Sequence, residues 1–95
     1  MKYLVLLKVV EKDMAKVIKK AQEYDEAQKK DPDKYPNVLF DPHIMCKGLK
    51  GVAVWEGDED QMARKLAFCL PEIEYTLIPI IDYEKFLQTY MEVKK

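Results

Sequence analysis

Tyr3-Leu4-Val5-Leu6-Leu7-Lys8-Val9-Val10 decides the fold, because nearly every residue in it is apolar. Side chains alternate across a strand, so Leu4, Leu6 and Lys8 share one face while Tyr3, Val5 and Leu7 share the other. A strand buried on one face alternates apolar with polar residues, whereas this one offers apolar side chains to both. Val38 to Cys46, Val52 to Trp55 and Ile73 to Ile81 read in the same way. Two helices can cover one side of a four-stranded sheet. The other side then requires a cover that the chain is too short to supply, which predicts a second subunit.

Between these strands the sequence places two helices. Met14, Val17, Ile18, Ala21, Tyr24 and Gln28 recur at helical spacing, predicting an amphipathic helix over residues 12–30 with Asp13 as N-cap, or Glu11 as an alternative start, and Asp31-Pro32 as its stop. Asp41-Pro42 interrupts the second strand, which is therefore expected to be bent or split. Lys47-Gly48-Leu49-Lys50-Gly51 reads as the hairpin loop into the third strand. Asp58 and Gln61 form a capping-box pair ahead of Met62, Leu66 and Cys69, and Pro71 closes that helix. After the fourth strand, Asp82 is placed to cap a last helix with the stripe Phe86, Leu87, Tyr90 and Met91. The predicted order is βαββαβ plus a C-terminal helix, an α+β fold with a four-stranded antiparallel sheet.

The chain of 95 residues fits one domain, residues 1–95, and its 48% apolar content is enough for a core. Lys plus Arg number 16 against 17 Asp plus Glu, so the net charge of -1 provides no field to attract a nucleic acid. The apolar N-terminal stretch is broken by Lys8 and has no small-residue cleavage site, so a first strand is a better reading than a secretory signal. No apolar run reaches the roughly 20 residues that span a bilayer. With only Cys46 and Cys69, the expectation is a cytoplasmic protein with two reduced thiols, no nucleic acid partner and no membrane partner.

Lys2 to Lys8, Lys50 to Asp58 and Tyr75 to Asp82 together resemble the small dimeric α+β barrel proteins of the ferredoxin-like superfamily, in particular its uncharacterised archaeal and bacterial members. That resemblance implies a homodimer or higher homo-oligomer whose first and third strands are central in each sheet. The prolines agree, since Pro42 and Pro79 fall on the second and fourth strands and a sheet tolerates proline at its edges. Relatives of this architecture include monooxygenases, isomerases, haem-handling enzymes and ligand-sensing domains. None of their catalytic patterns maps onto this chain, so the resemblance implies a fold and leaves reaction and cofactor unknown.

His43 is the one histidine and hence the first candidate for acid–base catalysis or ligand contact. Its spacing to Cys46 suggests a metal pair, but two ligands fall short of a closed set, and residues three apart on a regular strand face opposite ways. No metal site is expected. Cys46 and Cys69 read as small hydrophobes. Lys50-Gly51-Val52-Ala53-Val54-Trp55-Glu56-Gly57 mimics an RNA-recognition strand, but Val52, Val54 and Gly57 stand where bases would need aromatics. Glu56, Asp58, Glu59 and Asp60 suit a helix start without an ion.

Lys8 and Thr76 make one sheet face less uniformly apolar, which suits a cavity or a dimer seam. Lys8, His43, Trp55 and Thr76 are therefore the candidate ligand-binding residues, with Tyr3 and Tyr75 as further aromatic walls. The leading expectation is a barrel that binds a small molecule on its sheet face, with monooxygenase- or isomerase-type chemistry as one form of it. The alternative is a non-catalytic interaction module whose sheet face serves only to assemble subunits.

Overall fold

A computed structural model describes residues 1–46 and 48–95. The elements are β1 (Lys2–Lys8), α1 (Met14–Lys30), β2 (Asn37–Ile44), β3 (Lys50–Glu56), α2 (Glu59–Cys69), β4 (Glu74–Ile80) and α3 (Tyr83–Val93). Short 3-10 turns at Glu11–Asp13 and Pro32–Lys34 flank α1. The strands form one antiparallel sheet in the order β2-β3-β1-β4, so this is an α+β fold with three helices. Pro42 and Pro79 stand on the two edge strands, where the missing N–H leaves a central ladder intact.

Several boundaries differ from the sequence reading for local reasons. β1 ends at Lys8 rather than Val10, because Val10 leads directly into the 3-10 turn, whose end is closed by the Asp13 N–H donating to the Val10 carbonyl at 2.9 Å. β2 is bent as Pro42 predicts, with register shifts between Val38 and Phe40 and between Phe40 and His43. The capping box is present in full: the Gln61 N–H donates to Asp58 Oδ1 at 2.8 Å and the Asp58 N–H to Gln61 Oε1 at 2.9 Å. Asp13 and Asp82 occupy their N-cap positions, but neither side chain makes a capping bond. In the β2–β3 loop Gly48 takes a φ of 78°, the left-handed region that favours glycine. Lys47, the first residue of the predicted loop, lies outside the described residues.

The sheet separates two unlike faces. On one, Val5, Ala53, Trp55 and Met62 are buried together, with Tyr3, Val38, Tyr75 and Leu77 packed around them. A second cluster of Tyr24, Tyr35, Cys69 and Ile73 continues it toward α1. There the rings of Tyr24, Tyr35 and Phe68 meet edge to face, with centroids 5.1, 5.6 and 6.5 Å apart. Register places Phe40, Val54, Leu4 and Ile78 in one row of the opposite face and His43, Val52, Leu6 and Thr76 in the next. None of these side chains belongs to either buried cluster.

The Cα envelope of 54 × 34 × 17 Å explains why. Its short dimension holds a sheet and one helix layer, since a third packed layer would add about 10 Å. α3 therefore extends the molecule sideways. It buries no residue, and of its stripe only Leu87 is even half-covered. Phe86 and Tyr90 touch each other, with ring centroids 5.9 Å apart.

Candidate functional site

The four ligand candidates read from the sequence do not converge on one pocket. Trp55 is buried on the helix-covered face, while Lys8, His43 and Thr76 belong to the open face. Lys8 and Thr76 share a recess of about 240 Å³ with Lys50, Glu74 and Met45. His43 lies outside that recess, exposed, with its ring stacked on Phe40 at 4.4 Å. Its Nδ1 sits 2.6 Å from the carbonyl oxygen of Asp41, so as the donor tautomer that nitrogen is occupied by the backbone. Tyr75 lies against the Trp55 ring at 5.0 Å, in the core.

The larger concavity lies on the other side of the sheet. A half-open cleft of about 710 Å³ lies between α1, α2 and the strands, under the bent part of β2. Its walls are mainly apolar, from Leu7, Val9, Val17 and Ile73, with Tyr24, Asp25, Gln28, Asp41 and Lys65 as polar contributors. That combination, apolar walls with sparse polar groups at this volume, is what small-molecule sites require. The cavity also accounts for the weak burial along α1. Met14, Val17 and Ala21 face it, so the predicted apolar stripe overlies space instead of a dry sheet contact.

Lys65 is the unusual group in this wall. It is a lysine only 6% exposed. Its Nζ lies 3.8 Å from the Trp55 ring centre and 4.6 Å from that of Tyr24, two cation–π contacts that partly replace lost hydration. Among the described residues no carboxylate comes within 4.0 Å of it. Burial lowers its pKa from 10.5 to about 8, against a smaller upward pull from Cys69 and Asp25. Such an amine holds an anion when protonated and becomes a nucleophile once neutral.

The neighbours respond to the same low-dielectric setting. Burial pushes the Cys69 thiol up, opposed by the Tyr75 hydroxyl and by Lys65, so this cysteine is not a reactive thiolate. Burial likewise raises Tyr24 and Tyr75, which stay neutral. Among the described residues the Tyr24 hydroxyl and Trp55 Nε1 are buried without a hydrogen-bond partner, which leaves their desolvation uncompensated. Cys46, by contrast, is exposed just beyond β2.

The sequence carried one signal for this site. Lys65 stands three residues after Met62 and four before Cys69, on the buried stripe of α2, so helical phase alone puts a lysine where an apolar residue is expected. Compared with known protein families, curated proteins and solved structures, the chain matches none.

Proposed function

We propose that the protein binds a small amphipathic acid in the cavity between the sheet and α1, with the Lys65 ammonium holding the acidic group and the apolar walls holding the rest. The observation that carries this reading is a buried ammonium, with no carboxylate within 4.0 Å among the described residues, at the edge of a cavity of about 710 Å³. A buried charge is costly unless it is paired, and an incoming carboxylate would pair it. The Tyr24 hydroxyl, which has no hydrogen-bond partner among the described residues, is a second group for the same ligand to satisfy.

In this reading the molecule is a homodimer of ferredoxin-like subunits, a dimeric α+β barrel whose open sheet faces are shielded by the second copy. The apolar rows around Leu4, Leu6, Val52 and Val54 support it, as does the resemblance in strand pattern. The two unpaired cysteines fit a reducing compartment such as the cytoplasm.

Thermal melting with decanoate and with decanol tests the binding site. The acid is expected to raise Tm well beyond the alcohol, since binding at a hundredfold excess over Kd adds about 2.7 kcal/mol. Lys65→Met should remove the difference between the two, and Ala21→Trp, which fills the cavity, should abolish both shifts. Equal effects of acid and alcohol would discard the role of Lys65, and no effect from either would discard the site. A second reading is favoured by the apolar rows of the open face at Leu4, Leu6, Val52 and Val54, beside the small recess at Lys8 and Thr76. There the chain is an assembly module without a ligand, and it predicts a dimer that ignores both compounds.

A further inference from the structure

α3 is an 11-residue helix, shorter than the roughly 12–15 residues at which isolated helices become even marginally stable in water. Yet Phe86, Tyr90 and Met91 are between 49% and 63% exposed. A helix of this length is stabilised by burying its stripe, and its own chain does not bury it.

A matching surface exists at the far edge of the sheet. On β2, Leu39 and Phe40 are 50% and 44% exposed. The order β2-β3-β1-β4 separates that edge from the root of α3 by the full sheet, about 14 Å between outer strands. The Lys2–Asp82 pair holds the root on the β1–β4 side. With Phe86, Tyr90 and Met91 all exposed, the helix leaves this edge uncovered within its own chain.

We propose that α3 is an exchanged arm: in a two-fold dimer each copy lays the Phe86, Tyr90 and Met91 stripe over Leu39 and Phe40 on the β2 edge of its partner. The proposal rests on the homodimer reading above and specifies which surfaces meet. The size of the uncovered surface agrees with it. The chain exposes 7307 Å², against about 5,700 Å² for a compact monomer of this mass, a surplus of about 1,600 Å². A standard interface needs about 800 Å² from each partner. The Cα radius of gyration, 15.7 Å against about 12 Å for a compact chain of this length, places the surplus in projecting structure. A second copy is the fitting occupant because both surfaces are on one chain, so a single two-fold operation covers two arms and two edges and closes the assembly. With a net charge of -1, two copies repel little.

Sedimentation of the full chain at about 1 to 100 μM reads the outcome. The native protein is expected to be a dimer. The double variant Phe86→Arg/Tyr90→Arg and the double variant Leu39→Asp/Phe40→Asp should each dissociate at least tenfold more readily, with the far-UV spectrum of the sheet and of α1 retained. Mixing the two variants should restore a dimer, because one of its two contacts is then unmodified and the other joins opposite charges. A native dimer that both variants leave at full strength overturns the exchange while keeping the homodimer. A native protein that stays monomeric at 100 μM overturns both. Variants that dissociate but do not recover on mixing overturn the pairing of α3 with β2.

Discussion

The Lys2 ammonium and the Asp82 carboxylate, 80 positions apart in the chain, meet at 2.6 Å and tie the first residue of β1 to the residue that precedes α3. Asp82 is thereby diverted from capping α3, whose N-terminal N–H groups it was expected to bind. The pair raises the pKa of Lys2, first through the hydrogen bond from Lys2 to Asp82 and then through its charge. Its contribution is therefore complete below pH 10.5 and lost as pH rises through the higher folded value. Asp82→Ala should leave the core intact while amides in the first turn of α3 exchange several-fold faster with deuterium. Since the pair is exposed, added salt should weaken it in the same direction. Unchanged exchange in that turn would show that the tether does not position the helix.

The Asp58–Gln61 capping box satisfies donors at both ends of its reciprocal pair and starts the helix that carries Lys65. Asp58→Ala is expected to cost about 1 kcal/mol, read as a lower urea midpoint at unchanged slope. Asp58→Ser should recover most of the loss. Equal destabilisation by both would mean that the carboxylate acts by charge at the helix start and not as the cap.

Gly51 lies where β3 passes closely beneath Leu7. A Cβ there would come within 2.9 Å of the Leu7 side chain and 3.0 Å of the His43 carbonyl oxygen. Because the second neighbour is backbone on β2, rotation of Leu7 alone does not relieve the contact. Gly51→Ala should destabilise by about 1–3 kcal/mol. A neutral result in chemical denaturation would indicate that the β2 bulge absorbs the shift.

Lys65 makes stability pH-dependent with a definite sign. Below about pH 8 the folded and unfolded chains are both protonated, and the full cost of burying the ammonium is present. Between about 8 and 10.5 the unfolded chain retains a proton that the folded chain has released, so this residue's contribution to stability rises with pH and is complete above 10.5. The range corresponds to at most on the order of 3 kcal/mol, reduced by the cation–π contacts. Cys69, Tyr24 and Tyr75 have raised values and act oppositely at alkaline pH. The clean quantity is thus the difference between the native protein and Lys65→Met. Urea titrations from pH 7 to 9.5 should show that difference moving in favour of the native chain as pH rises, and a constant difference would reject the lowered pKa.

How much of this was legible in the sequence differs by level. The four strands and the α2 capping box follow from local pattern, because alternation, turn residues and caps act over a few neighbouring positions. Pro42 gave away the irregularity of β2 for the same reason. The grouping of Lys8, His43, Trp55 and Thr76 required knowing which side the helices cover, and strand parity names two faces without saying which is which. Trp55 went to the helix side by registering against Tyr3 and Val38, and so came under Lys65.

By itself the sequence determined the order of elements and the apolar character of both sheet faces, since these depend on residue type and spacing along one strand or helix. Only the tertiary structure decided that α1 overlies a cavity, that a buried lysine lines it, and that α3 projects with its stripe uncovered. Those features depend on distances between residues far apart in the chain. They are set when helices dock on the sheet, a step that packing geometry governs and periodicity does not record.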